Sequence, residues 1–438
     1  MRAPRVLAAG VVAALALTAC GGGDKSTGDK STGDKSTAEE KGGQFTYWSM
    51  WKENEPQAKV IKAAIDKFQA ETGTKVTVEW QGRDIRTKIG PAIAANKAPD
   101  LVENGFDVIS SLLASTGQAR DLTPVYDSEV PGEGKKVSDV IPAKYLDAMP
   151  KDPDGVTRWI VPYVLNSAMF YYNKADADLA KTPATWDDFV KLCETLKAKD
   201  KACVASDGDN TWTNFLFMDY LLVRDNGAGT MGKIVNDKTG AAWDQPGVLE
   251  TAKRIEAFVK AGHILKGYDA SKYPAQQTNW ATGKAAFHLD GTWVPSEAQK
   301  NLASGFKVGE FAVPTTKGTN TELDIIPLGF AIPKRAKNPE PAQKFIAYFL
   351  KKDNISGIST EAKNITPRAD VPAPEELLDA QKLLTDSPSR LPIDGVSGDY
   401  LDKALFPAFS ELWLGKATAE QFITKAKEGH LAYWKANG

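Results

Sequence analysis

Trp48 and Trp51 stand three residues apart, and Lys52, Glu53 and Asn54 follow directly. Flat apolar rings beside charged and amide groups can hold a solute that presents hydroxyls around an apolar ring. The indoles cover its C–H faces, and the polar side chains make the hydrogen bonds that burial would otherwise leave unmade. The same mixture recurs in Gln81-Gly82-Arg83, Glu103-Asn104-Gly105-Phe106-Asp107, Tyr163 with Asn166, Trp212-Thr213-Asn214, Asp290-Gly291-Thr292-Trp293 and Thr366-Pro367-Arg368. The candidate ligand-binding set is Trp48, Trp51, Lys52, Glu53, Gln81, Asn104, Asp107, Tyr163, Asn166, Trp212, Asp290, Trp293 and Arg368. Each has a plainer alternative: an indole can be ordinary core, and a charged side chain can belong to a surface salt bridge.

Other chemistries find less support. His263, His288 and His430 are scattered without metal-ligand spacing, so neither a histidine metal site nor a Ser-His-Asp triad is indicated and no metal is expected. There is no Walker A sequence and no Gly-x-Gly-x-x-Gly after a strand, and no cofactor is expected. Asp152-Pro153-Asp154-Gly155 resembles the start of a calcium loop but lacks the closing glutamate, so a hairpin turn is expected there. Ser49-Met50-Trp51-Lys52 and Lys238-Thr239-Gly240 copy two motifs of penicillin-binding enzymes. The third, Ser-Asp-Asn, is absent, and Ser49 follows a strand instead of opening a buried helix.

These residues need a frame to bring them together. Gln44 to Ser49 reads as a strand, and Pro56 to Glu71 as a helix with Val60, Ile61, Ala64, Ile65 and Phe68 on one side and Gly73 past its end. Lys75 to Trp80 alternates like a strand, Arg86 to Ala95 is helical, and Asp100 to Glu103 is a short strand. That β-α-β-α-β order predicts a parallel sheet covered by helices, with ligands held outside the carboxyl ends of its strands. Further strands are expected at Arg158 to Tyr163, Ala168 to Asn173, Ala285 to Leu289 and Phe330 to Pro333. Further helices are expected after Thr185, from Val248 to Ala261, after Asn338-Pro339, and after a capping box of Thr418 and Gln421. The chain is α/β throughout.

At the amino end, Arg2 and Arg5 precede an apolar run from Val6 to Leu17, which would span about 18 Å as a helix, short of a bilayer core of roughly 30 Å. A signal peptide over residues 1–19 is the expectation. Leu17-Thr18-Ala19-Cys20-Gly21 resembles a bacterial lipobox, which implies cleavage before Cys20, lipid on its thiol, and attachment to the outer face of the cell membrane. Residues 20–43 hold three Asp-Lys-Ser-Thr copies and read as a disordered tether with a reach of roughly 25 Å. The net charge of -2 gives no sign of a nucleic-acid partner. Cys193 and Cys203, in an exported chain, are expected to form a disulfide, two buried thiols being the alternative.

Ordered patterns then carry a resemblance: Ala98-Pro99-Asp100-Leu101-Val102; Arg120-Asp121-Leu122-Thr123-Pro124; Val161-Pro162-Tyr163 with Phe170-Tyr171-Tyr172-Asn173-Lys174; Pro183-Ala184-Thr185-Trp186-Asp187-Asp188-Phe189. They continue in Gly283-Lys284-Ala285-Ala286-Phe287, Asp290-Gly291-Thr292-Trp293, Gly329-Phe330-Ala331-Ile332-Pro333-Lys334 and Asn338-Pro339-Glu340. Together they resemble the family 1 extracellular solute-binding proteins of bacterial ABC importers, which include oligosaccharide-binding proteins. The resemblance implies a two-lobed periplasmic-binding-protein fold (type II), with a ligand cleft between lobes joined by a multi-crossover hinge. It implies lobes of residues 44–166 plus 330–366 and 167–329 plus 367–438, with crossings near Asn166 to Ala168, Pro327 to Gly329 and Thr366 to Asp370. It further implies a monomeric, non-catalytic receptor that delivers an oligosaccharide to membrane permeases.

Ligand size follows from a magnitude. At roughly 0.3 kcal/mol per heavy atom, a disaccharide of about 23 atoms reaches about 7 kcal/mol, near 10 µM, whereas a hexose reaches only millimolar affinity. A di- to tetrasaccharide is therefore expected. Two other readings stay open. One is a secreted glycoside hydrolase, which needs two carboxyls roughly 5 to 9.5 Å apart. The other is a receptor for a different solute, such as a polyol or peptide.

Overall fold

The computed structural model describes residues 42–151, 155–316 and 319–437. The signal peptide, Cys20, the tether through residue 41 and Asp152 to Asp154 lie outside the described residues. Among those described, no helix is long and apolar enough to cross a membrane.

Strand β1 (Gln44–Ser49) alternates, turning Phe45, Tyr47 and Ser49 inward and leaving Trp48 half-buried on the opposite face. It pairs in parallel with β2 (Lys75–Trp80) and β3 (Leu101–Gly105), joined through the helices Pro56–Thr72 and Ile85–Ala94. The expected parallel β-α-β-α-β unit is present, and β4 (Val161–Asn166) extends the same sheet. The chain then enters a second sheet at β5 (Ala168–Asn173), followed by β6 (Ala202–Ala205), β7 (Ala285–Gly291) and β8 (Val308–Phe311). It returns to the first sheet as β9 (Ile326–Ala331). The strand orders are β2-β1-β3-β9-β4 and β8-β5-β7-β6. Both sheets are mixed, because β9 runs antiparallel to β3 and β4, and β5 runs antiparallel to β7 and β8.

Two expected strands are displaced. β4 runs to Asn166, beyond Tyr163, and β9 starts at Ile326, ahead of Phe330. Both strands are buried along their whole length, so no polar alternation marks their ends in the sequence. The crossing expected near Pro327 to Gly329 falls just ahead of those residues, since β9 begins at Ile326. Pro327-Leu328-Gly329 itself lies inside β9, where the register against β4 shifts between Leu328 and Gly329, and a side-chain carbon on Gly329 would sit 2.4 Å from the Val161 carbonyl oxygen. Residues 326–329 therefore belong to the first sheet, and the return crossing lies between β8 and β9.

The helix Trp186–Lys197 starts as expected, with Thr185 Oγ1 accepting from the Asp188 amide. A disulfide joins its Cys193 to Cys203 of β6. The last helix, Ala419–Asn437, opens on the reciprocal Thr418 and Gln421 capping bonds.

The sheets meet at a one-residue junction. Asn166 ends β4, the edge strand of the first sheet, and Ala168 begins β5, an inner strand of the second, so Ser167 alone joins them. The carboxyl ends of β1 to β4 lie on one side of this junction, and those of β6 and β7 on the other, since Ala168 pairs with Gly291. Asn166 Oδ1 accepts from the Thr292 hydroxyl at 3.0 Å, tying the end of β4 to the residue after β7. Beneath it, the wholly buried Asp324 accepts from Ser167 Oγ (3.0 Å), the Ala168 amide (2.7 Å) and the Tyr220 hydroxyl (2.8 Å) through a single oxygen, Oδ1. Burial pushes the Asp324 carboxyl above its usual range, and the charge of Arg390 opposes that rise.

Candidate ligand cleft

The first wall is built on Glu103 of β3, which is wholly buried. Its Oε1 accepts from the Ser49 hydroxyl, and its Oε2 accepts from the Tyr163 hydroxyl at 2.7 Å. Tyr163 in turn accepts from the Trp51 indole N–H at 2.8 Å. Burial pushes the Glu103 carboxyl up, and these donors pull it back. Trp51 is 8% exposed, and the Arg83 guanidinium lies over its ring at 4.5 Å. Arg83 is held by the Met50 carbonyl at 2.6 Å and by Glu55 at 3.0 Å. Trp51 thus forms the wall as a locked member of a polar network. Trp51→Phe, which keeps most of the ring but deletes the N–H, leaves the buried Tyr163 oxygen without that donor. It is expected to cost about 1–3 kcal/mol of stability by denaturant unfolding, far more than it changes ligand affinity.

Other first-wall candidates are placed as follows. Trp48 lies within β1, not in the loop beyond it, and packs in part against the core. Tyr163 is wholly buried, its ring 4.8 Å from that of Phe330, and so is core. Lys52 and Glu53 are exposed; the Lys52 amide donates to Glu55 at 2.5 Å. Gln81 is engaged on its own lobe by Glu79 (2.7 Å) and Lys88 (2.8 Å). Asn104 is buried and accepts from the Gly105 amide, while Asp107 is half-buried in the first turn after β3. Asn166 is the junction strut described above. Arg368 is 2% exposed and fully engaged by Glu133, Asp370 and the Leu350 carbonyl, so its charge serves structure and is not presented to a ligand.

The second wall is the end of β7. Asp290 is 1% exposed; its Oδ1 accepts from the Gly291 amide at 2.8 Å, and its Oδ2 has no hydrogen-bond partner. Trp293 is half-buried, with its ring laid over Gly291 so closely that a side-chain carbon there would fall 2.1 Å from the indole. Only glycine permits that seat. Trp212, half-buried, opens the helix Thr211–Asn226. Asn214 in the same turn is buried, bonded to Ser206 and to the Asp207 carbonyl.

Three residues complete this wall that the sequence reading did not single out. The Tyr273 hydroxyl donates to Glu297 at 2.5 Å and lies 3.2 Å from Gln277 Oε1. The surrounding protein pushes the Tyr273 hydroxyl up, and the charges of Asp290 and Glu297 push the same way. Glu297, at the exposed rim, is also raised, first by its surroundings and then by Asp290, while Arg83 of the opposite wall lowers it. Arg83 and Glu297 are therefore close enough for their charges to interact. The faint sequence signal was Tyr273-Pro274-Ala275-Gln276-Gln277, aromatic and amide groups at a helix start shortly before β7.

An indole face beside a buried, unpaired carboxylate oxygen can stack a flat apolar ring and accept hydrogen bonds from its hydroxyls. Glu103 has no such freedom, since both its oxygens are taken.

The chain is similar to the multiple sugar-binding protein of Streptococcus mutans, 30% identical over 43% of this chain and 46% of that protein. It is also similar to the putrescine/cadaverine-binding protein of Pseudomonas aeruginosa, 26% identical over 52% of this chain and 56% of that one. These alignments span about half the length of each relative. Among solved structures, a chitin oligosaccharide binding protein superposes with a TM-score of 0.73 at 18% identity, over 90% of this chain and 100% of that one, which establishes a shared two-lobed fold. The family model for the bacterial extracellular solute-binding proteins matches residues 52–355, and the chain belongs to that family.

Proposed function

We propose that this chain is the receptor of an ABC importer for a neutral di- to tetrasaccharide, anchored outside the membrane through lipid on Cys20 and delivering its ligand to permease subunits. The observation that carries the ligand class is the end of β7: the half-buried Trp293 indole follows Asp290, whose buried Oδ2 makes no hydrogen bond and lies 3.5 Å from His288 Nε2. The names of the Streptococcus relative and of the chitin oligosaccharide binder support the same reading. The lobes are residues 44–166 and 167–329 with their carboxyl-terminal complements 330–366 and 367–438, amended so that residues 326–329 go with the first. The hinge is the Asn166–Ala168 junction and its companions. The reading has no bond-breaking step.

A second reading has one observation in its favour. Asp290, Glu297 and Asp207 give the second wall an acidic lining that would also suit a diamine, as the name of the Pseudomonas relative suggests. Calorimetry of the chain against xylo-, cello-, malto- and chito-oligosaccharides, with putrescine in the same panel, separates the two. Micromolar or tighter binding of a neutral oligosaccharide without released product supports the proposal. Binding of putrescine alone supports the diamine, and turnover of a sugar returns the glycoside hydrolase.

A further inference from the structure

The two walls also touch away from the hinge. On the first wall, Ser110–Ala114 is a wide turn in which the Ser115 amide reaches back five residues to the Ser110 carbonyl at 2.8 Å. It packs against the helix Ile85–Ala94 on one side and against Gly398–Tyr400 on the other. Gly398–Tyr400 leads into a second turn of the same width, Leu401–Leu405, closed from the Phe406 amide to the Leu401 carbonyl. That turn packs on the helices Phe406–Trp413 and Ala419–Asn437, and Phe406–Trp413 packs on Thr211–Asn226, so it belongs to the second wall. Turns this wide are uncommon and recur at functional sites.

The charges beside this contact are mostly paired within their own wall. Arg83 is held by Glu55 at 3.0 Å and Lys88 lies 3.8 Å from Asp84, while across the gap Lys403 pairs with Asp399 at 2.6 Å. Arg86, exposed in the first turn of Ile85–Ala94, and Asp402, exposed in the second-wall turn, make no hydrogen bond or ion pair among the described residues. They are opposite in sign and near enough for their charges to interact. Asp402 also feels two like charges, Asp399 of its own turn and Asp107 of the first wall. Bringing Asp402 closer to Asp107 costs free energy unless a cation comes with it. Arg86 is the cation in place, and the fork of a guanidinium can donate to a carboxylate through two N–H groups at once.

We infer that Arg86 and Asp402 are a closing ion pair: as the walls shut on a solute, the guanidinium meets the Asp402 carboxylate, offsets its repulsion by Asp107 and slows escape of the ligand. The inference rests on the receptor reading of the chain. Both are positioning residues that act on the closed state without touching the ligand, so their effect belongs to the dissociation rate.

Stopped-flow release of the tightest solute of the calorimetric panel tests the pair. Arg86→Glu and Asp402→Arg should each release it about tenfold faster, and the combined variant, which rebuilds the pair with its signs exchanged, should return to within about threefold of wild type. Because both side chains are exposed, all three variants should unfold at the wild-type denaturant concentration. Single variants within about twofold of wild type, or a combined variant as fast as the product of the two singles, overturn the inference. A second measurement reads the contact itself. A carbodiimide joins an amine to a carboxylate that touches it, so in the Arg86→Lys variant it should link position 86 to Asp402, more completely at saturating solute, as read by peptide mass spectrometry. If no solute of the panel binds, the receptor reading loses its ligand, whereas the link in the ligand-free chain still decides whether the two residues meet. No link in either state overturns the pair.

Discussion

Asp324→Ala is expected to lower the unfolding free energy by about 3–5 kcal/mol, the largest stability loss anticipated from a single change outside the hydrophobic core. One buried oxygen of Asp324 serves Ser167, the Ala168 amide and the Tyr220 hydroxyl, all at or beneath the one-residue bridge between the sheets. Alanine leaves the Ser167 hydroxyl and the Ala168 amide buried without that acceptor, and leaves the Tyr220 hydroxyl only the Ala168 carbonyl, 3.0 Å away. It also removes an anion from the neighbourhood of Arg390, which then depends on Asp219, 2.7 Å away, for neutralisation. Asp324→Asn keeps an acceptor in place and should recover more than half of the loss. Denaturant unfolding of both variants measures this directly. An alanine variant within about 1 kcal/mol of wild type would mean that the junction is held by backbone pairing and packing alone.

Trp293→Ala should weaken oligosaccharide binding by about thirtyfold or more, from lost stacking and lost apolar contact, while costing less than about 1.5 kcal/mol of stability because the ring is only half-buried. The contrast with Trp51 is the informative part. Trp51 has its N–H on Tyr163 and its face under Arg83, so its loss should register in stability. Trp293 makes its close contact with Gly291, which itself has no side chain to lose. Calorimetry and unfolding measured on the same two variants give opposite orderings if the walls are correctly assigned. Unchanged affinity in Trp293→Ala would move the stacking platform elsewhere, with Trp212 and Trp48 the next half-buried indoles to replace.

Much of the frame was legible because its signals are local. Phe45 and Tyr47 alternate with Thr46 and Trp48, the apolar stripe from Val60 to Phe68 keeps helical spacing, and Thr185 and Thr418 carry side-chain caps that act within their own helices. The ends of β4 and β9 were not legible, since every residue of both is buried and nothing alternates. The site was half legible for a related reason. Residue type marked Trp51, Tyr163 and Arg368 as able to meet a ligand, but whether they do depends on partners 60 to 235 residues away: Tyr163 on Glu103, Trp51 on Tyr163 and Arg368 on Glu133. Tyr273, Gln277 and Glu297 went unremarked because their chemistry exists only once a helix start and a helix after β7 are side by side. Asp290 and Trp293 were marked by residue type, and the structure places both at the end of β7, one with a buried oxygen that makes no hydrogen bond and the other half-buried.

The most direct test of the cleft as the sugar site is a crystal structure of the chain with the tightest oligosaccharide from the calorimetric panel. A pyranose ring lying on Trp293, with a hydroxyl donating to Asp290 Oδ2 and the first wall closing over it through Trp51 and Arg83, is the predicted result. A sugar bound away from the ends of β3 and β7, or one that meets the cleft without touching Asp290 or Trp293, would contradict it.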